Sequence, residues 1–448
     1  MIIKIINDFL NKGSDRTTLA KKNILATLFI KGLSVLISLI YVPITLNYLN
    51  PTRYGIWMTL ISIIAWMSIF DIGLGNGLRN KLTEALAIGD KAKAKKYVST
   101  TYAMLVIIVV FVCLVFIIAN HWIDWSIVLN TDESYSKELK ILAVIIVALF
   151  GLKFVLNIIT TVLTADQRPA IGSMFELIGS AVGLLVIWLL TLANKTSLIT
   201  FGLATMLTPV IVYFGASIIF YKHKYSFLKP SWNSIDLSNA KDLTGLGLQF
   251  FVIQIAVLVI FQASNILIAQ FFSPIEVTPY NIAFKYFAIL SMFWGILMTP
   301  LWSAFTQAKA QNDIEWIKNT IVNLNKFMFW TVFIIILMAL GASNIISIWT
   351  SGQIIIKPMM VWIFAFYTFI SIWNSIYAFF LNGVSKIKIQ IYTSIAATII
   401  HVPLAYFLVK YLKMGSEGVV LSMTVSLSFF AVAAPIYSFR LLKSWKTN

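Results

Sequence analysis

The sequence predicts an all-α integral membrane protein of about twelve transmembrane helices, and three observations carry that prediction. The 448 residues are 59% hydrophobic and 11% charged, with a mean hydropathy of +0.88. A soluble domain is nearer half apolar and about a quarter charged. Next, residues 98–119, 197–221 and 246–275 contain no Asp, Glu, Lys or Arg, and each is long enough to cross a hydrocarbon core of about 30 Å. Finally, with the N-terminus inside, 23 of the 34 Lys and Arg fall on the inner side and six on the outer. That asymmetry orients the chain with both termini cytoplasmic.

In chain order the predicted spans are 24–46, 55–77, 98–119, 139–163, 169–193, 197–221, 246–271, 279–305, 321–344, 358–382, 388–410 and 416–439. Met1 to Leu19 is mixed polar and charged, without the apolar core of a cleavable leader, so the first span is expected to be retained. Leu49-Asn50-Pro51 followed by Tyr54-Gly55 opens the second span; Ser273-Pro274 followed by Tyr280-Asn281 opens the eighth. Ala87-Ile88-Gly89-Asp90 before the third span echoes Ala310-Gln311-Asn312-Asp313 before the ninth. Leu163-Thr164-Ala165-Asp166, the tight turn between spans four and five, echoes Leu381-Asn382-Gly383-Val384 between ten and eleven. These landmarks recur in one order. The expected organisation is therefore two six-helix halves, 1–225 and 246–448, joined by a cytoplasmic linker at 226–245. Halves with an even number of spans are parallel repeats, related by a pseudo-two-fold along the membrane normal. The segment from Arg79 to Lys96 reads as a short amphipathic helix at the interface, with Leu82, Ala85 and Leu86 toward the membrane.

Several classes of function are excluded. The net charge of +17 is spread over loops rather than gathered on a face, so no nucleic-acid partner is expected. The single cysteine, Cys113, cannot form an internal disulfide. His121, His223 and His401 are far apart and lack metal-ligand spacing, so neither a metal site nor a cofactor is expected. No Walker pattern is present, and the glycines of Asp71-Ile72-Gly73-Leu74-Gly75-Asn76-Gly77 do not follow the dinucleotide spacing. No enzyme signature emerges.

Polar residues inside the spans are the informative ones, because in lipid they are costly unless they face a cavity or a partner. In the first span Lys31, Ser34 and Ser38 share an arc with Thr27, Tyr41 and Thr45 of about 80°. In the fourth, Lys153, Asn157, Thr160 and Thr164 follow one another at intervals of 4, 3 and 4 and form a narrower stripe. Lys153 lies about 15 Å from the cytoplasmic end, deep for a snorkelling lysine. Gln254, Gln262 and Asn265 share a face of the seventh span, and Lys285 lies near the outer end of the eighth. These residues are the candidate substrate pathway. Glu176, among Gly172, Gly179, Ser180 and Gly183, is at a depth comparable with Lys153. It reads as half of an ion pair or as an ion-coupling site; Asp71, at the start of the glycine run, is the other acidic candidate.

The motifs Leu49-Asn50-Pro51…Tyr54-Gly55-Ile56-Trp57, Phe70-Asp71-Ile72-Gly73-Leu74-Gly75-Asn76-Gly77-Leu78-Arg79-Asn80 and Gly89-Asp90 before a basic run carry a family resemblance. The chain resembles bacterial O-antigen and polysaccharide flippases of the Wzx type, within the multidrug/oligosaccharidyl-lipid/polysaccharide exporter superfamily. The resemblance implies translocation of an undecaprenyl-pyrophosphate-linked oligosaccharide across the bacterial inner membrane by alternating access. It implies as partners the membrane lipids, H⁺ or Na⁺ as coupling ion, and a polysaccharide polymerase and chain-length regulator. A cavity for that substrate needs buried cations, such as Lys31 and Lys153, and hydroxyl or amide groups for sugars. The competing readings are an ion-coupled drug or cation antiporter of the same superfamily, whose cavity should be rich in carboxylates, and a membrane polysaccharide polymerase.

Overall fold

A computed structural model describes residues 15–67, 74–166, 168–193, 196–236, 238, 247–310, 312–384 and 386–446. Among these are fourteen α-helices, three 3-10 turns and no strand. The helices are α1 (Asp15–Ala65), α2 (Leu74–Ala87), α3 (Lys91–Asn120), α4 (Trp125–Leu129), α5 (Ser136–Leu156), α6 (Ile158–Ala165) and α7 (Pro169–Thr191). They continue with α8 (Leu198–Lys222), α9 (Gly247–Phe271), α10 (Pro274–Ala310), α11 (Ile314–Trp349), α12 (Pro358–Gly383), α13 (Lys388–Lys410) and α14 (Glu417–Lys446). Among the described residues ten segments are long and apolar enough to cross a membrane. The first of them, Phe29–Ala65, is broken at Asn50, and Leu258–Phe271 is a shorter apolar helix besides. The predicted first and second spans thus fall in one long helix broken at Asn50, and the seventh in the shorter one.

The break at Asn50 has a local cause. Pro51 disfavours the helical region for the residue before it, and Asn tolerates positive φ better than most residues. Asn50 adopts φ 65° and ψ 167°, and its Oδ1 accepts the Arg53 N–H at 3.0 Å, capping the arm that follows. Elsewhere helix starts are written in the sequence. Asp90, Ser197 and Asp313 accept the backbone N–H three residues on, at 2.9, 3.3 and 3.0 Å. Pro169 and Pro358 occupy first-turn positions, where a missing N–H costs nothing.

The repeated landmarks share backbone geometry as well as sequence. Gly89 and Asn312 both have positive φ, 74° and 57°, immediately before the capping aspartates. The Asp90 N–H reaches Ala85 O at 3.0 Å, and the Asp313 N–H reaches Ala308 O at 2.9 Å. At the other landmark Arg168 N bonds Leu163 O and Lys386 N bonds Leu381 O, both at 2.8 Å.

Packing groups the chain into two units. The first gathers the described residues of Met1–Leu49, Met67–Trp125 and Glu133–Phe251; the second gathers those of Asn50–Trp66, Ser126–Asp132 and Val252–Asn448. In the first unit Leu78, Leu82, Tyr97, Ile159, Val162 and Tyr225 belong to one buried cluster. This corrects the reading of α2. Its apolar face is buried against α3 and α6, with Leu82 at 0% exposure and Ala85 at 2%, rather than turned to lipid. An apolar stripe states that a face must be covered, not whether by acyl chain or by protein. By contrast α3 is lipid-facing: Ile107, Val110, Phe111 and Leu114 are exposed.

In the second unit the core includes Trp294, Met298, Phe305, Ile317, Tyr377 and Phe380. The aromatics of α12 divide between two faces. Phe364 and Tyr367 are buried against Tyr280 and Phe284, whereas Trp362 and Phe366 are exposed. The start of the second arm of α1 lies against the start of α10. A Cβ on Gly55 would fall inside the Pro274 carbonyl, and Thr278 Oγ1 donates to Pro51 O at 2.6 Å. Only a residue without a side chain permits that approach. Gly55→Ala should therefore cost about 3 kcal/mol or more, because a backbone carbonyl cannot rotate away as a side chain can. Gly215→Ala, with open space at its Cβ, should be neutral or stabilising by up to about 1 kcal/mol. Thermal unfolding of the detergent-solubilised variants measures the difference.

Candidate substrate cavity and buried polar clusters

The fourth predicted span is two helices, α5 and α6, meeting at Asn157. Asn157 keeps right-handed dihedrals (φ −64°, ψ −13°), and its N–H still reaches Lys153 O at 2.8 Å. Thr160 latches the junction from below. Its hydroxyl lies 2.8 Å from Asn157 O and 3.0 Å from Asn157 Oδ1, and its N–H bonds Asn157 O at 2.9 Å. Short side chains that bond nearby backbone compete with the regular helix ladder, and the stripe of Asn and Thr does so here.

Beside this junction, within the first unit, lies a cavity of about 290 Å³. Asn157, Thr160, Thr161 and Thr164 line it from α5 and α6, Gly75 and Arg79 from α2, and Leu105 and Phe154 close it with apolar surface. Its volume is at the lower end for ligand pockets, enough for a head group but not for an oligosaccharide. Arg79, itself an exposed residue, is the charged one among the described lining residues, which include no carboxylate. Arg79 forms no ion pair among the described residues.

The nearby acid is already committed. Asp166, just past α6, accepts from Lys224 Nζ at 2.7 Å and Tyr225 OH at 2.6 Å, and Arg168 Nε lies 3.3 Å away. Burial alone would raise its carboxyl. The hydrogen bonds from Lys224 and Tyr225, with the charges of Lys224 and Arg168, outweigh burial and hold it below its ordinary value. Thr83 Oγ1 ties α2 to the same corner through Ala165 O at 3.2 Å.

The predicted pathway residues of this unit are placed as follows. Asn157 and Thr160 line the cavity. Lys153 is half-buried, one turn before Asn157. Glu176 is exposed; it is near enough to act electrostatically on Lys153 and Tyr213, but no Lys153–Glu176 pair occurs among the ion pairs of the described residues. Lys31 and Ser38 are exposed on α1, and Ser34 donates to Ile30 O at 3.0 Å. Asp71 lies outside the described residues.

In the second unit two predicted residues enter a buried network. Asn281 Nδ2 donates to Asn265 Oδ1 at 2.6 Å, and Asn265 Nδ2 donates to Ser62 Oγ at 2.6 Å. Ser62 in turn donates to Met58 O at 2.8 Å. Lys285 donates to Tyr54 OH at 2.9 Å and lies over the same ring at 5.5 Å. Gln262 is half-buried, and the side chain of Gln254 lies outside the described residues. Sequence reasoning missed Arg79, Thr161, Tyr54, Ser62 and Asn281 as site residues. Signals existed for three of them: Arg79 closes the glycine-rich motif, and Tyr54 and Asn281 stand in the repeated landmarks.

An all-helical chain with this many apolar spans, and with cationic and polar groups turned inward among them, is a multi-pass membrane transporter. It belongs to the polysaccharide biosynthesis protein family, which matches residues 20–303. Curated relatives include a putative O-antigen export protein of Yersinia pseudotuberculosis, 21% identical over 79% of this chain and 81% of that protein. A putative O-antigen transporter of Salmonella typhimurium is 21% identical over 95% of this chain and 94% of its own length. Among solved structures, the inward-facing conformation of a multidrug resistance MATE family transporter of the MOP superfamily has the same fold. The TM-score is 0.79 at 13% identity, over 95% of this chain and 99% of that one. The resemblance to Wzx-type flippases is thereby borne out at the level of family.

The Asp166 corner yields a pH-dependent expectation. A carboxyl held below its ordinary value of 3.8 adds stability above that pH and loses it as the pH falls through the lower, folded-state value. Asp166→Asn should therefore cost about 1 kcal/mol or less at neutral pH, the side chain being about one-third exposed and screened. Below pH 3.8 the difference from wild type should close. Unfolding midpoints in detergent across that range report it.

Proposed function

We propose that the chain is a flippase that moves an undecaprenyl-pyrophosphate-linked oligosaccharide across the bacterial inner membrane for O-antigen or capsule assembly. The observation that carries the proposal is the cavity at the α5–α6 junction. Among its described lining residues the charged one is Arg79, and the other polar ones carry hydroxyls and an amide. A guanidinium is suited to the paired oxygens of a phosphate ester, and neutral hydroxyls and amides suit sugars. A site selecting cationic drugs would instead place carboxylates on the wall. The names of the O-antigen relatives point the same way.

In this reading the lipid tail stays in the bilayer while the head group crosses, and the two halves, 1–225 and 246–448, alternate access by rocking. Both termini are cytoplasmic. Lys153 and Lys31 supply further positive charge along the path in the first half. Gln254, Gln262, Asn265 and Lys285 supply polar and cationic groups in the second. H⁺ or Na⁺ is the coupling ion, and a polysaccharide polymerase and chain-length regulator receive the product.

The test is a deletion strain complemented with wild type, Arg79→Gln, Arg79→Lys or Lys153→Ala. Lipid-linked oligosaccharide on the cytoplasmic leaflet and polymer at the surface are measured together. The expected result is accumulation in the deletion, relief by wild type, a loss of about tenfold or more with Arg79→Gln, and partial relief with Arg79→Lys, which keeps charge without the fork. Lys153→Ala should also fail to relieve the accumulation. Normal lipid intermediates and surface polymer in the deletion, with altered drug sensitivity, would replace this reading by the antiporter.

A further inference from the structure

His401 is fully buried on α13, and its ring touches two other helices of the second unit. Nε2 is 3.3 Å from Ser264 Oγ on α9, and Nδ1 is 3.0 Å from Ser422 Oγ on α14. Both serines are also fully buried. Each has a backbone acceptor on its own helix: Ser264 Oγ lies 2.9 Å from Ile260 O, and Ser422 Oγ lies 2.8 Å from Val419 O.

A count of protons makes this arrangement informative. A serine hydroxyl carries one proton and offers lone pairs in all other directions. When both serines donate to their carbonyls, both present lone pairs to the ring, and an imidazolium with two N–H groups satisfies both ring contacts, with the Tyr280 hydroxyl and the Ser422 backbone as further partners. A neutral ring has one N–H and one bare nitrogen. It is satisfied only when one serine swings its hydroxyl from the carbonyl to that nitrogen. Ring charge and hydroxyl orientation therefore change together.

Burial weighs against a charge on the ring. On α13 the titratable groups are Lys388 and Lys410, at the ends of the helix, and Tyr392 and Tyr406, which are exposed. The sequence of α9 has no titratable residue. On α14 the groups are Glu417, Tyr437, Arg440, Lys443 and Lys446. Glu417 precedes Ser422 by about 7 Å along the helix and lies 3.8 Å from Lys357. From α10, Tyr280 is buried and hydrogen-bonds Ser264, and from α12 Tyr367 is buried beside Tyr280. Among the described residues no carboxylate pairs with the ring, so a buried charge there has a desolvation cost set against the hydrogen bonds that the charged form completes.

We propose that His401, Ser264 and Ser422 form a proton-binding site that ties α9, α13 and α14 together. On uptake, a proton from water occupies the bare ring nitrogen, and the serine that was donating to it returns its hydroxyl to Ile260 O or Val419 O. On release the exchange reverses. The site is independent of the transported molecule and of the cavity beside Asn157.

The chain has three histidines, which permits a direct measurement. His121→Gln with His223→Gln leaves His401 as the sole imidazole. In lipid nanodiscs, ¹⁵N-histidine spectra then report both ring nitrogens between about pH 4 and about pH 9. The expected result is a transition between a neutral ring and one protonated at both nitrogens. Ser422→Ala should weaken proton binding about tenfold, since the bond lost is charge-assisted in the protonated form and neutral in the other. A ring that keeps one form throughout, or a transition that neither Ser422→Ala nor Ser264→Ala moves, overturns the proposal. If the double variant does not fold, the wild-type signal assigned by its loss in His401→Gln serves instead. Neither outcome bears on whether the chain flips a lipid.

Discussion

Hydrocarbon offers no hydrogen bonds, and most of the architecture follows from that absence. Every backbone polar group within a span must find its partner inside the protein, and side-chain groups gain by finding one on the same helix, on a neighbour, or at a wetted cavity. Most hydroxyls take the first course, as Thr59 does with Gly55 O and Thr368 with Phe364 O. Groups that cannot are gathered into chains, of which Asn281–Asn265–Ser62 is the clearest. Where the helix ladder itself is interrupted, as at Asn157, a hydroxyl closes the gap and polar atoms are left turned toward a cavity. The departure from regular helix at Asn157 is thus also where polar side chains line a cavity.

Close packing makes such departures possible. Because Gly55 has no side chain, the arm after Asn50 meets the start of α10 at backbone contact. That brings Tyr54 and Ser62 within reach of Lys285 and Asn265. Sequence separations of 231 and 203 residues are closed in this way. One dipeptide, Tyr54-Gly55, supplies both the contact and the group that receives the lysine.

Much of this was legible in the sequence, for identifiable reasons. Hydropathy is a direct reading of the solvent, so the spans and their number emerge from it. The Asn50-Pro51 break and the aspartate caps follow from the backbone preferences of single residues. The Lys153–Thr164 stripe pointed to the cavity because helical periodicity places those side chains on one side. What was not legible depends on partners. The apolar face of α2 looks the same whether lipid or α3 and α6 cover it. Arg79 looks like one more inner cation when cations are counted for topology. A single sequence holds no sign that Asn281 meets Asn265, or that His401 meets two serines, since each contact joins separate helices. Lys153 and Glu176, read as lying at comparable depth, are near enough to act on each other electrostatically but are not among the ion pairs of the described residues.

The bare flank of α3 has a consequence for the membrane itself. Only 6% of its most apolar window is buried. It is gripped near its N-terminal end, where Tyr97 to Thr101 are buried, and at its C-terminal tip, where Asn120 receives the Trp125 Nε1–H at 2.6 Å. Thirty residues make a rod of about 45 Å, longer than the hydrocarbon it crosses. Such a rod meets a change in bilayer thickness by tilting or by deforming the lipid around it. Along this flank acyl chains take the place that neighbouring helices fill elsewhere, and lipid length becomes a structural parameter of the protein.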